Sequence, residues 1–564
     1  MKKLSIFIIL FAVSFDLCFA QQRTIERLYL STDRTAYVAG ERMWLSLFCF
    51  DMSDKNLCLS NLSSVAYIEL RQDASLVLSA KLRIEKGRSS GVLSIPATLA
   101  TGNYRLVAYT KQMLNEEKWA CFDKIIPIYN TLSIDRVAEN VLIKEDQEWP
   151  DGLPAKSNSN CVEVKFGTNR SVLPKNSSHP VILKNVGEEA LTLSVSIART
   201  DIQASEEHSI EDFLSCDRPE PADIRFYNRY TPEYEGEIIG GKIKNMAEIF
   251  PKDQEVFLSA VGPRLNIYAT PVDAVAGEFT FYTNSLFGNR EVALSYPSTN
   301  NEVSFELYDP FVKPPVQPVP PLYLDARTKV FLTQRSVEMQ VNHRFGLDTL
   351  YDRTTEIDHP FLYTNNPVVY MLDNYTRFPA MADITVEFIT QLRFRRTNNQ
   401  PVLQILLGAE SGFTYAENSL AVVDGIALFD HERLLLYDPL KVKRVSIYQN
   451  RYRIGNNIFN GIAKFDTYSG NYPGLTLGKN SLIVDFQGVQ YPCRFLGNHM
   501  WIDKENLPDV RTLLYWDPQI DLKSGENHEV MLTTSAIPGN YAVVLEGVTA
   551  GGQAIYHRSL FSVE

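Results

Sequence analysis

Short runs of alternating apolar and polar residues, broken by Gly, Asn and Pro, fill most of this 564-residue chain. Alternation with a period of two predicts β-strands, and the frequent turn residues predict many short ones. Between residues 25 and 130, the runs 43–48, 66–71, 76–84, 91–95 and 104–109 predict one all-β module. The runs 162–166, 180–185 and 191–200 predict a second. Those at 256–261, 277–282 and 291–295 predict a smaller β-unit. The period changes in two places. Residues 326–345 lack Gly and Pro and carry Val330, Phe331, Val337, Met339 and Val341, which predicts a helix with an imperfect apolar stripe. Residues 381–392, with Ile384, Val386, Phe388 and Ile389, read equally as a short helix or a strand.

The turn chemistry sharpens this outline. Gly102-Asn103-Tyr104 and Gly539-Asn540-Tyr541 each follow a proline (Pro96, Pro538) and each open a run rich in aromatic and β-branched residues. Such a turn feeding a strand predicts the closing hairpin of a sandwich at both ends of the chain. Asp424-Gly425, set between two apolar runs, predicts a tight two-residue hairpin. The Pro-rich stretch 313–321 predicts an extended, semi-rigid spacer.

Two stretches carry family resemblances. The phrase from Tyr29 to Trp44, with Asp33-Arg34, Tyr37, Gly40-Glu41 and Trp44, resembles the opening of a macroglobulin-type domain. The stretch 99–109 resembles that domain's closing strands, and 507–518 resembles the opening of a late macroglobulin β-domain. The order Val423-Asp424-Gly425, Asp438-Pro439, Tyr448, Gly455 and Gly461-Ile462 resembles the plug domain of TonB-dependent outer-membrane receptors. Too little chain follows Gly470 to build the receptor barrel, whose strands take about 10 residues each. Taken together, the order resembles a group of exported proteins of Bacteroidota that join macroglobulin-type domains to an orphan plug-like domain. The resemblance implies a mainly β fold: tandem Ig-like, macroglobulin-type β-sandwiches with a small α+β plug-like domain. The expected division is a leader (1–20), a sandwich (21–130), a second sandwich (131–235), a small regulatory-type β-domain (236–310), a Pro-rich linker with a helix (311–378), the plug-like domain (379–475) and a C-terminal sandwich (476–564).

Lys2 and Lys3, the apolar run 4–13 and Cys18-Phe19-Ala20 predict a secretory signal cleaved before Gln21. The run is shorter than the ~20 apolar residues of a spanning helix. The expected compartment is therefore the periplasm or the outer membrane, with the cell surface open, and no transmembrane segment of its own. Cleavage leaves 53 basic residues against 66 acidic ones. That balance argues against nucleic acid or an anionic membrane surface as partner. Six cysteines remain, and Cys49 with Cys58 is the candidate disulfide across a short loop.

The chemistry of enzymes is not visible. No Cys is followed by Gly-Glu-Gln, the thioester a covalent macroglobulin trap would need. There is no Gly-x-Ser-x-Gly elbow, His-Glu-x-x-His helix or phosphate-binding Gly-x-x-x-x-Gly-Lys loop. The eight His are scattered singly, and the acidic run Asp201, Glu206, Glu207, Glu211, Asp212 lacks the Gly and alternating oxygens of a calcium loop. No cofactor, no metal and no catalysis are expected. What remains is a basic and aromatic concentration on an acidic protein: Arg393, Arg395 and Arg396, then Arg451, Tyr452 and Arg453. Arg and Tyr are enriched where proteins dock, though strand-edge charges that discourage sheet pairing look the same in sequence. Asp348-Thr349-Leu350 resembles a short O-glycosylation motif of Bacteroidota. The expected role is a non-enzymatic binding or assembly module that presents the plug-like domain to an outer-membrane β-barrel or its complex. A surface adhesin or glycan-binding protein and a thioester-less protease inhibitor are the alternatives.

Overall fold

The computed structural model describes residues 24–564 apart from 55–56, 118–119, 134, 144–155, 158–159, 168–170, 201–208, 217–226, 228, 245–253, 285, 298–301, 313–317, 325, 347–350, 354–365, 409–411 and 496–508. The leader, the start of the acidic run, the Asp348-Thr349-Leu350 triplet and the first half of the Pro-rich stretch lie outside the described residues. Strands dominate throughout, as the alternation predicts. The chain forms two compact units. One takes residues 1–234, 313–355 and 490–564; the other takes 235–312 and 356–489.

In the first unit, a sheet of Glu26–Thr32, Arg42–Asp51, Cys58–Leu59 and Arg88–Ser94 packs on a five-stranded sheet. The latter orders Tyr37–Val38, Phe122–Tyr129, Gly102–Tyr109, Val65–Gln72 and Ser75–Arg83. Strand Arg42–Asp51 is buried along almost its whole length. The reason is that both of its faces are covered. Met43, Leu45, Leu47 and Cys49 alternate with Trp44, Ser46, Phe48 and Phe50, and every one of them is buried. The second set meets the second sandwich of the same unit: the Trp44 and Trp516 rings lie 5.2 Å apart, and Ser46 Oγ donates to the Pro518 carbonyl at 3.1 Å.

That second sandwich corrects the expected division. Leu191–Arg199 pairs with both Leu513–Leu522 and Gly539–Thr549, and Ser178–Asn185 pairs with Asn527–Thr533. The stretches expected to make two sandwiches, 131–235 and 476–564, build one core in common around Val181, Leu193, Ile197, Leu514, Leu532, Val543 and Phe561. Alternation specifies which residues face inward but not which distant strand supplies the neighbour, so two half-sandwiches looked like two whole ones.

The repeated Gly-Asn-Tyr phrase has one structural meaning at both sites. Tyr104 OH donates to the Ala100 carbonyl at 2.7 Å, and Tyr541 OH donates to the Ile537 carbonyl at 3.1 Å, each four residues upstream. These are tyrosine corners, which pin the chain as it enters a sandwich strand. Asn103 does something further: its amide donates to the Pro320 and Pro321 carbonyls at 3.0 and 3.2 Å. Leu322–Leu324 then pairs in parallel with Val141–Ile143. The described end of the Pro-rich stretch, expected as an extended, semi-rigid spacer, is therefore docked on the first sandwich. The helix predicted at 326–345 is present as Ala326–Arg344.

In the second unit, sheets Glu278–Tyr282/Ile238–Lys244/Ser304–Leu307 and Ile267–Pro271/Glu255–Ala260/Asn289–Ser295/Ser481–Gln487 enclose a core of Val256, Leu258, Phe279, Phe281 and Leu294. Ser481–Gln487 thus belongs here rather than with the C-terminal sandwich. The ambiguous stretch after 381 resolves into a helix, Met381–Glu387, followed by strand Leu392–Thr397. A mixed five-stranded sheet orders Val368–Met371, Val442–Ile454, Asn457–Thr467, Leu420–Val423 and Ile426–Leu428. The predicted hairpin forms at Asp424 and Gly425, both with positive φ (46° and 93°), as a two-residue primed turn requires.

Candidate binding surfaces

The phrase from Tyr29 to Trp44 folds into a buried polar knot. Asp33 accepts from Tyr37 OH at 2.6 Å, from the Trp44 backbone N–H at 2.8 Å and from Arg34 Nε at 2.8 Å. Arg34 also reaches the Arg42 carbonyl and Thr512 Oγ1, both at 2.9 Å, the latter from the second sandwich. Glu41 turns back to accept from the Val38 N–H at 2.9 Å. Burial pushes the Asp33 carboxyl and the Tyr37 hydroxyl upward. Burial also pushes Glu41 upward, but the Arg335 and Arg34 guanidinium groups outweigh it and hold Glu41 below its usual range. Every charge in the knot has a partner, which is the condition for burying charge at all.

Helix Ala326–Arg344 is fastened to this knot by its charged residues. Arg335, only 1% exposed, grips Glu41. One turn on, Glu338 receives both Nη1 and Nη2 of Arg199 at 2.8 Å, and this pair is buried too. Gly40 (φ 100°) lets the chain come close, since a Cβ there would stand 2.8 Å from Met339 Sδ. Sequence reasoning passed over Arg335, Glu338 and Arg199. The signal was the imperfect stripe itself, in which charges three residues apart occupy the inward face.

Beside the helix lies an open cleft of about 760 Å³. Ile95 at the end of a first-sandwich strand, Leu132 just beyond that sandwich, and Val337, Met339, Val341 and Phe345 of the helix region give it apolar walls. Leu132, Val337 and Phe345 are exposed at 45%, 58% and 49%. Arg42, His343 and Arg344 also line it.

The six residues chosen from sequence as a docking surface fall on two strands of the second unit. Arg393, Arg395 and Arg396 lie on edge strand Leu392–Thr397, and Arg451, Tyr452 and Arg453 lie on Val442–Ile454. Glu417 links the two places. Its carboxylate accepts from Thr397 and Gln404, and its carbonyl accepts from the Asn460 amide, opposite Arg451 in register. Two of the six are occupied within the fold. Arg393 donates to Gln404 and covers the Tyr415 ring at 3.8 Å, while Tyr452 packs with Phe257, Ile454 and Phe459. Arg395, Arg396, Arg451 and Arg453 are exposed, and among the described residues none has a carboxylate partner.

Cys49 and Cys58 are free thiols. Cys49 is fully buried and Cys58 exposed, and the register sets Cys58 opposite Asp51 rather than opposite Cys49. Burial pushes both thiols upward. Glu211 and Asp212 of the acidic run occupy the first turn of helix Ile210–Cys216, where they favour its positive end. Among the described residues no three His, Cys, Asp or Glu side chains gather as metal ligands. No described helix is long and apolar enough to cross a membrane.

No protein-family model and no curated protein matches the chain. Among solved structures, trypsin-activated alpha-2-macroglobulin from Escherichia coli is similar at 9% identity and a TM-score of 0.22, covering 95% of this chain and 41% of that one. The native conformation of E. coli alpha-2-macroglobulin is similar at 9% identity and a TM-score of 0.23, covering 96% and 40%. The E. coli adhesin FdeC is similar at 10% identity and a TM-score of 0.14, covering 48% and 60%. The chain spans less than half the length of the macroglobulins it matches.

Proposed function

We propose that this chain is a non-enzymatic binding and assembly module of the cell envelope, whose second unit docks on an acidic face of an outer-membrane protein. One observation carries the reading. Arg395, Arg396, Arg451 and Arg453 project from strands of one unit with no carboxylate partner among the described residues, although the protein as a whole is acidic. Elsewhere the arginines are generally paired: Arg27 with Glu116, Arg71 with Glu69, Arg444 with Asp466 and Arg511 with Asp509. Exposed guanidinium groups on rigid strands suit recognition of carboxylates on a partner, because the planar fork meets them with two parallel hydrogen bonds.

The compartment follows from the leader expected at 1–20, and the partner class follows from the plug-like resemblance around Asp424. A photoreactive residue placed at Arg395 or Arg451 in the native host tests the reading. The expected adduct contains an outer-membrane β-barrel protein or a member of its complex. Adducts with soluble periplasmic proteins alone would reject it.

A further inference from the structure

We infer that the cleft beside helix Ala326–Arg344 is a binding site for an amphiphilic anion, an aliphatic chain of medium length ending in a carboxylate. The cleft's volume, about 760 Å³, lies in the range of small-molecule sites. Its walls are apolar side chains from two separate elements, and Leu132, Val337 and Phe345 stay exposed, a cost that monomers seldom carry in one place without a use. From Val337 to Phe345 the helix region runs about 12 Å, enough to lay an extended chain of roughly ten carbons alongside it.

The charge of the lining chooses the head group. Arg42, His343 and Arg344 line the cleft, and among its described lining residues there is no carboxylate. On a chain with a net charge of −12, a concavity whose described charged lining residues are all basic is a local reversal of sign. His343 and Arg344 also lie in the last turn of the helix, where cations offset its negative end. Arg42 has no such role, since it belongs to strand Arg42–Asp51 and comes from the opposite wall. The two walls thus bring basic side chains from independent elements to one space. The frame is rigid where it needs to be, because the Arg335–Glu41 and Arg199–Glu338 pairs fix the helix against the sandwiches.

The test uses the whole mature chain and dansylaminoundecanoic acid as a fluorescent probe. Saturable enhancement at one site is expected, with laurate displacing the probe and dodecanol at least about tenfold weaker, the scale of one charge-assisted contact. Val337→Asp should abolish the enhancement and Arg344→Gln should weaken it about tenfold, while Lys523→Gln, exposed and outside the cleft, leaves it unchanged. Val337 and Arg344 are exposed, so unaltered thermal unfolding of both variants separates loss of the site from loss of the fold. An absence of saturable enhancement, equal displacement by laurate and dodecanol, or enhancement that survives Val337→Asp would each overturn the assignment.

Discussion

Arg335 and Glu41, 294 positions apart in the chain, meet in a buried two-point ion pair, with Nε donating to Oε1 at 2.8 Å and Nη2 to Oε2 at 3.1 Å. Glu41 serves Arg34 and the Val38 N–H at the same time, so it is the hub through which the helix joins the first sandwich. Removing one member of a buried pair strands the other, at a cost of about 3–5 kcal/mol. Arg335→Ala should therefore destabilise the first unit by that order. Glu41→Gln should do at least as much, since it weakens the hold on two arginines. The double variant should lose less than the two separate losses added together, because the groups share one network. All five tryptophans lie outside the second unit, so urea unfolding followed by tryptophan emission reads this unit alone. A loss below about 1 kcal/mol for Arg335→Ala, the scale of an exposed pair, would refute the buried assignment.

The two tyrosine corners make a matched pair for comparison. Tyr104 and Tyr541 are both fully buried and both donate four residues back, but Tyr541 OH also meets Ser535 Oγ at 2.8 Å. Removing one hydroxyl should cost about 1 kcal/mol for Tyr104→Phe. Tyr541→Phe should cost more, since its serine loses a buried partner as well. Equal urea midpoints for the two variants would show that the Ser535 contact contributes nothing.

How much of this was legible depended on the range of the interaction. The Asp424-Gly425 hairpin and the helix after the Pro-rich stretch rest on contacts within a few residues, and sequence reports such contacts directly. The Tyr29–Trp44 phrase could be recognised but not explained. Its Asp33, Tyr37 and Glu41 bond mainly within the phrase, to Arg34, Val38 and Trp44 among others, yet Arg34 and Glu41 also reach Thr512 and Arg335, hundreds of residues away. The pairing of Leu191–Arg199 with strands after 513 left no local mark either. Of the arginines singled out, alternation could not foretell that Arg393 would cover Tyr415, because that depends on a third strand, Tyr415–Ala416.

His431 gives the second unit a pH dependence with a definite sign. Burial holds its pKa down at about 4, against 6.5 when unperturbed, and its Nδ1 accepts the Leu403 N–H at 3.0 Å, which protonation would forfeit. Between those values the unfolded chain binds a proton that the folded chain refuses. Stability from this site is therefore complete above about pH 6.5 and is lost as pH falls toward 4, by up to roughly 3 kcal/mol. Urea unfolding monitored by circular dichroism at about pH 7 and about pH 5 should show a smaller shift in His431→Gln than in the unaltered chain. Identical shifts would remove His431 as the cause.

Asp424 does more than turn the hairpin. Its carboxylate accepts from the Thr467 N–H at 2.8 Å, from Thr467 Oγ1 at 2.5 Å and from the Tyr472 N–H at 2.7 Å, so it ties the turn to the end of the neighbouring strand. Asn would keep the positive φ and lose the charge, whereas Ala would lose both. Asp424→Asn should cost about 1–3 kcal/mol, with Asp424→Ala costing more. Hydrogen exchange across 465–472 should quicken in both. Protection there that matches the unaltered chain would mean the carboxylate is dispensable.

The four arginines without a carboxylate partner among the described residues make the opposite prediction about stability. Arg395 and Arg451 are exposed and hold no carboxylate among the described residues, so reversing either to Glu should move unfolding by no more than about 0.5 kcal/mol. Their effect should appear only with a partner. If they meet acidic groups across an interface, Arg395→Glu and Arg451→Glu should reduce recovery of the crosslinked partner, and raising salt should do the same to the unaltered protein, since exposed charges farther apart than about 10 Å are screened at 0.1 M. The alternative is that these arginines keep strand Leu392–Thr397 from pairing edge to edge with another sheet. In that case the reversed chains, still charged at the same places, would behave as the unaltered protein does. Substitution by Thr, which keeps the strand but removes the charge, would instead cause self-association visible in sedimentation. The two roles therefore separate cleanly: sign matters for docking, and charge of either sign suffices for edge protection.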